Sequence, residues 1–193
     1  MKQKEKFNSA NVETTPVQPK LFSAMKLLSP DSHAALQSMM RDVYPKDGVG
    51  SKFGEARDAL IGGNVETAIK ACQNAIEIIA GGVNHNKSTL NLHVMYATQM
   101  DDNFNRASNS YQCEFLYAHS VQNLAQAFIS DLDGNSLGCK ICLSYAKSDL
   151  HKVLFVMNDM PDVLTSPLSS FAIDIKTCES QISALNELVG LLN

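Results

Sequence analysis

The stretch from Val65 to Ile79 constrains the fold more than any other part of the chain. Val65, Ala68, Ile69, Cys72, Ala75, Ile76 and Ile79 recur at steps of three and four, the spacing that lines one face of an α-helix. Immediately before it, "ALIGGN" supplies the glycines and asparagine that stop one helix and open the next. A helix, a tight turn and a second helix must bury that stripe against further helices, because no convincing strand pattern occurs elsewhere.

The same period runs along the chain. In "SPDSHAALQSMMRDVY", Ser29 is placed to cap a helix and Pro30 to occupy its first position, with Leu36, Met39, Met40 and Val43 on one face. "PKDGVGSK", residues 45–52, reads as a turn-rich loop. "GGVNHNKST" reads as a break, after which Ser88 caps a new helix. A long stripe runs from Phe104 to Leu132 and stops at "DGNS"; another runs from Cys139 to Met157 and stops near "MPDV". Ser166 and Pro167 repeat the cap signature and open a final helix, about 167–192, with Phe171, Ile175, Cys178, Ile182, Leu185, Val189 and Leu192 in steps of four and three. That narrow stripe suits docking on the domain, dimerisation or mimicry of a partner helix. The expected fold is all-α, a set of helical hairpins or a bundle of about six to seven helices.

Composition narrows the function classes. At 193 residues the chain fits one domain with its own core. Residues 1–20, "MKQKEKFNSANVETTPVQPK", read as a disordered polar arm without the apolar stretch of a secretory signal, leaving 21–193 as a single helical domain. A net charge of −4 lacks the basic footprint of nucleic-acid binding. No apolar run reaches the roughly 18–20 residues of a membrane-spanning helix. Five cysteines, an odd number, suggest reduced thiols in a cytoplasm.

A repeat is visible when the turns are aligned. Gly63, Asp102 and Gly134 each precede a small residue by five positions, namely Ala68, Ala107 and Cys139. Four positions further come Cys72, Tyr111 and Leu143, and three beyond those Ala75, Glu114 and Ala146. The first and third copies agree well; Glu114 spoils the second. "GGNVETAIKACQNAIEI" resembles the turn and second helix of a tetratricopeptide repeat, in which small residues let paired helices approach and a bulky one fills the gap between hairpins. The resemblance covers about 55–150, with repeat-like hairpins over about 52–158, and is similar in size and charge to the tetratricopeptide chaperones of type III secretion translocators. It implies that first helices line a concave face, where Tyr96, Gln99, Phe128 and Asp131 would meet a partner. "EARDALIGGNVETAIKACQNAIEIIAGG" followed by "NLHVMY" also resembles the middle of flagellin export chaperones, which are helical bundles. This chain has no tryptophan, where that family carries one near its end.

Reactive chemistry has weak support. Cys139-x-x-Cys142 has metal or redox spacing, but zinc needs four ligands and no second pair accompanies it. Both cysteines also fall on the apolar stripe, where cysteine acts as a small hydrophobe. His33, His85, His93, His119 and His151 form no i, i+4 pair and read as solvated or capping residues. No phosphate loop or nucleophile motif occurs, so neither an enzyme nor a cofactor is expected. Eight methionines suit a surface that adapts to apolar partners. The resulting expectation is a small cytoplasmic helical chaperone or adaptor for an amphipathic segment of an export or assembly partner. The alternatives are a self-assembling helical subunit, for instance a homodimer, and a metal or redox protein acting through Cys139 and Cys142.

Overall fold

The computed structural model describes residues 19–96, 102–164, 171 and 173–193, with the backbone alone for 86–96 and 102–107. Seven α-helices are found among them: α1 (Lys20–Met25), α2 (Pro30–Asp42), α3 (Val49–Ile61), α4 (Val65–Tyr96), α5 (Asp102–Leu132), α6 (Ser136–Asp159) and α7 (Ile175–Leu191). A short 3-10 turn, Pro45–Asp47, joins α2 to α3, and no strand occurs among the described residues. The all-α expectation and the helix number hold. The expected arm lies outside the described residues except for Pro19 and Lys20, which open α1.

Local chemistry sets the helix ends. The Ser29 side chain accepts the Ser32 N–H at 3.4 Å with Pro30 in the first turn. Two other turns repeat each other closely. Gly63 and Gly134 both take φ of +75°, a left-handed conformation that glycine adopts without a Cβ clash. Asn64 and Asn135 follow them, accepting the Thr67 N–H at 3.0 Å and the Gly138 N–H at 2.8 Å. The seam behind each turn is buried in register: Ala68 with Cys139, Cys72 with Leu143, Ala75 with Ala146 and Ile79 with Leu150. The α3–α4 and α5–α6 hairpins are therefore two copies of one local design.

Four boundaries differ from expectation. The loop read over 45–52 is shorter, since α3 already starts at Val49, which is fully buried. The break at "GGVNHNKST" is absent: α4 continues to Tyr96, so Ser88 lies within a helix and does not open a new one. Gly82 serves close packing instead. A Cβ built there would lie 2.5 Å from Cζ of the buried Tyr44 ring. Tyr44, at a φ of 43°, turns that ring inward, where it meets Phe171 edge-on at 5.1 Å. The final helix starts at Ile175, not near 167; Asp174 caps it by accepting the Thr177 N–H at 2.7 Å. Ser166 and Pro167 lie outside the described residues. The fourth is α1, too short for its periodicity to register.

The long helices close on themselves. α3 packs on α4, α4 on α5, α5 on α6, α6 on α7 and α7 on α2, while α2 meets α3 only sparsely. Hairpins stacked in an open array would leave the first and last helices apart; here α2 and α7 make one of the larger interfaces. The α7 stripe faces inward, with Cys178, Ile182, Leu185 and Leu188 buried, so this helix docks within the domain. Glu187 ties the closure, accepting the Ser29 N–H at 2.7 Å, the Ser29 hydroxyl at 2.9 Å and the Ser32 hydroxyl at 2.5 Å. Deeper in, the Gln181 amide donates to Tyr117 Oη at 2.9 Å and to Ser38 Oγ at 3.3 Å, linking α7 to α5 and α2.

Two stability outcomes follow. Gly82→Ala is expected to destabilise the chain by about 1–3 kcal/mol through overpacking against Tyr44. Gly81→Ala, where an added Cβ meets nothing within 4 Å, is expected to stabilise by about 0.5–1 kcal/mol through helix propensity. Denaturant melts of both variants check this, and equal effects would contradict the packing role of Gly82. Hydrogen bonds from Ser32 and Ser29 hold Glu187 below its ordinary carboxyl value of 4.5. Its contribution is thus present above that value and lost as pH falls through the lower folded-state value. Glu187→Gln should lower the Tm at pH 7, with the gap to the parent closing as pH falls below the ordinary carboxyl value of 4.5.

Candidate functional site

The sparse seam between α2 and α3 is a groove of about 450 Å³. Its shape comes from the connection at one end. Gly50 sits so close to α2 that a Cβ there would lie 3.1 Å from Arg41 Cα, so the helices touch near their shared turn, while their packing on each other is sparse overall. His33, Gln37, Met40 and Arg41 form the α2 wall, and Phe53, Arg57, Leu60 and Ile61 are on the α3 wall. Both sets keep the three-and-four spacing of a single helix face. Phe22 and Met25 of α1 flank the groove, and Cys72 and Phe128 lie at its base.

Its chemistry is apolar with a cationic edge. Lys26, Arg41 and Arg57 are among the lining residues, and no carboxylate is. Arg41 and Arg57 each lean on the next residue in sequence, with Asp42 at 2.7 Å and Asp58 at 2.9 Å. These are exposed pairs whose attraction is weak in water. Lys26 Nζ lies 4.5 Å from the centre of the Phe22 ring. Ile61 is 69% exposed at the open end, while Phe53 packs against Phe128 at 6.4 Å. His33 performs a capping role, with Nδ1 3.2 Å from the Met25 carbonyl oxygen.

The residues assigned to a partner face by resemblance are scattered. Phe128 lines this groove. Asp131 is buried and accepts the Leu21 N–H at 2.8 Å, holding the first turn of α1. Burial raises its carboxyl above the ordinary value, against the opposing pull of that N–H and of Lys20. Tyr96 ends α4, where only the backbone is described, and Gln99 lies outside the described residues. The walls of the groove, by contrast, were not singled out by the sequence as a binding face.

The cysteines sit in surroundings that oppose thiolate chemistry. Burial pushes Cys139 up to about 11 and Cys72, Cys113 and Cys178 up to about 12. Burial raises Cys142 as well, offset in part by a hydrogen bond with Ser130. The N-terminal turn of α6 therefore does not lower the pair, because both thiols pack inward. Among the described residues no three His, Cys, Asp or Glu side chains gather as a metal-holding group. A different polar cluster joins α5 to α6: Asp149, buried, meets His119 Nδ1 at 2.7 Å, Asn123 Nδ2 at 3.3 Å and Lys152 Nζ at 3.0 Å. Phe115 stacks flat on the His119 ring at 5.8 Å. His119 is thus a partner of a buried carboxylate, and not merely solvated or capping as its isolation in sequence implies.

No helix among the described residues is long and apolar enough to cross a membrane. Comparisons of the chain with protein-family models, curated proteins and solved structures return no match.

Proposed function

We propose that this chain is a small helical chaperone or adaptor that receives the apolar face of an amphipathic segment from an export or assembly partner. The observation that carries this reading is the α2–α3 groove. α3 presents Phe53, Leu60 and Ile61 to it at helical spacing and α2 adds Met40, with Lys26, Arg41 and Arg57 among the lining residues and no carboxylate. A third helix laid in that seam would complete the packing that α2 and α3 lack with each other, the helix-in-groove mode of recognition. Met25 and Met40 can repack around different side chains. The cationic edge favours a segment with acidic flanks.

The closed bundle is the architecture that the resemblance to flagellin export chaperones implies, though an unrelated helical bundle shares it; the export partner rests on that resemblance. An intracellular, cytoplasmic setting accords with five unpaired thiols.

Immobilised full-length protein should retain a partner from a cell extract that Leu60→Glu/Ile61→Glu does not, with at least about a tenfold loss of affinity for the double variant. Both substitutions lie on the groove wall at positions that are at least partly exposed, so far-UV circular dichroism should match the parent. Identical retained proteins for parent and variant would contradict the groove as the binding site.

A further inference from the structure

The outer face of α6 carries a second apolar surface. Leu137, Ile141, Tyr145 and Phe155 are 70%, 45%, 59% and 73% exposed. They fall on one side of the helix and span about 27 Å. α6 packs on α5 and α7, so this face is distinct from the α2–α3 seam. Isolated exposed apolar residues are ordinary on a protein surface; an ordered row of large ones on a single helix is the pattern of a contact face.

Charge selects the occupant. Between Leu137 and Phe155 the charged side chains are Lys140, Lys147, Asp149 and Lys152. Asp149 is buried and pairs with His119 and Lys152, so the charge left beside this face is that of Lys140 and Lys147, in a chain whose net charge is −4. Pairing α6 with α6 of a second copy would oppose lysines to lysines, which is unfavourable. A helix with leucine-like residues on one side and carboxylates beside them meets both the stripe and the lysines. We propose that the outer face of α6 docks an acidic amphipathic helix of a protein partner, independently of the α2–α3 groove.

The test uses the full chain and two synthetic helices of about 20 residues, long enough for stable turns. Both carry leucines on one face; one has glutamates flanking them and the other lysines. Fluorescence anisotropy should show binding of the acidic helix, weakened by salt, and at least about tenfold weaker binding of the basic one. Ile141→Ala/Phe155→Ala should weaken the acidic helix by about tenfold or more. Lys140→Glu/Lys147→Glu should reverse the preference between the two. Leu60→Glu/Ile61→Glu, which removes any binding of the acidic helix in the groove, should leave the binding that depends on Ile141 and Phe155 and its charge preference unchanged, which separates this surface from the groove. Equal binding of both helices, no binding, or binding sensitive only to the groove variant would overturn the proposal. So would a dimer in light scattering that the α6 variants dissolve, or α6-dependent sedimentation with phosphatidylglycerol vesicles in place of peptide binding.

Discussion

The contact between α2 and α7 decides the shape of this molecule. Glu187 brings a carboxylate to the first turn of α2, where unpaired N–H groups and the helix dipole favour negative charge. It accepts from Ser29 and Ser32, while Gln181 reaches Ser38 further along the same helix. With one side of α2 committed to α7 in this way, the ring of helices is closed. The other side of α2 is left with only sparse packing on α3, and the groove occupies that seam. Closure and opening are thus two consequences of one choice of neighbour.

Asp131 adds the end piece. A buried carboxylate is costly without partners, and this one accepts the Leu21 N–H at the start of α1. Leu21, Ala24 and Met25 are buried behind it. The helix so fixed brings Phe22 and Met25 to the groove. At the other end, the close passage of Gly50 by Arg41 holds the walls together. Two of the elements that line the groove are thus held in place, α1 by Asp131 and the α2–α3 turn by the approach of Gly50 to Arg41, which limits the order that must be gained when a ligand enters.

Much of the fold was legible in the sequence because its period is strong. The α6 stripe, the inward α5 residues Ala118, Val121, Ala125 and Phe128, and both glycine–asparagine turns needed nothing beyond local chemistry, whereas Phe115, read into the same α5 stripe, is exposed. What escaped depended on partners distant in sequence. Gly81 and Gly82 read as a helix break by composition, yet Gly82 is small because Tyr44 packs on it. Asp131 was assigned to a partner face by resemblance because the group it holds, the Leu21 N–H, is 110 residues away. α1 has six residues, too few to show a stripe. The groove was the least legible feature: Met40 belongs to the same apolar set as Leu36 and Met39, and only the position of α7 decides which of them faces inward. The exposed α6 row had the opposite difficulty, since its inward stripe of Cys139, Leu143, Ala146 and Leu150 dominated the pattern.

The adjacent pair Met39 and Met40 offers the sharpest test of an open seam beside a closed core. Met39 is fully buried, whereas Met40 is partly exposed on the groove wall. In the full chain labelled with 13C at its methionine methyls, a soluble nitroxide should broaden the Met40 signal strongly. The Met39 signal, like that of the buried Met157, should be nearly untouched. Protection of Met40 equal to that of Met39 would mean that α2 and α3 pack together as tightly as the rest of the ring, and would contradict the groove.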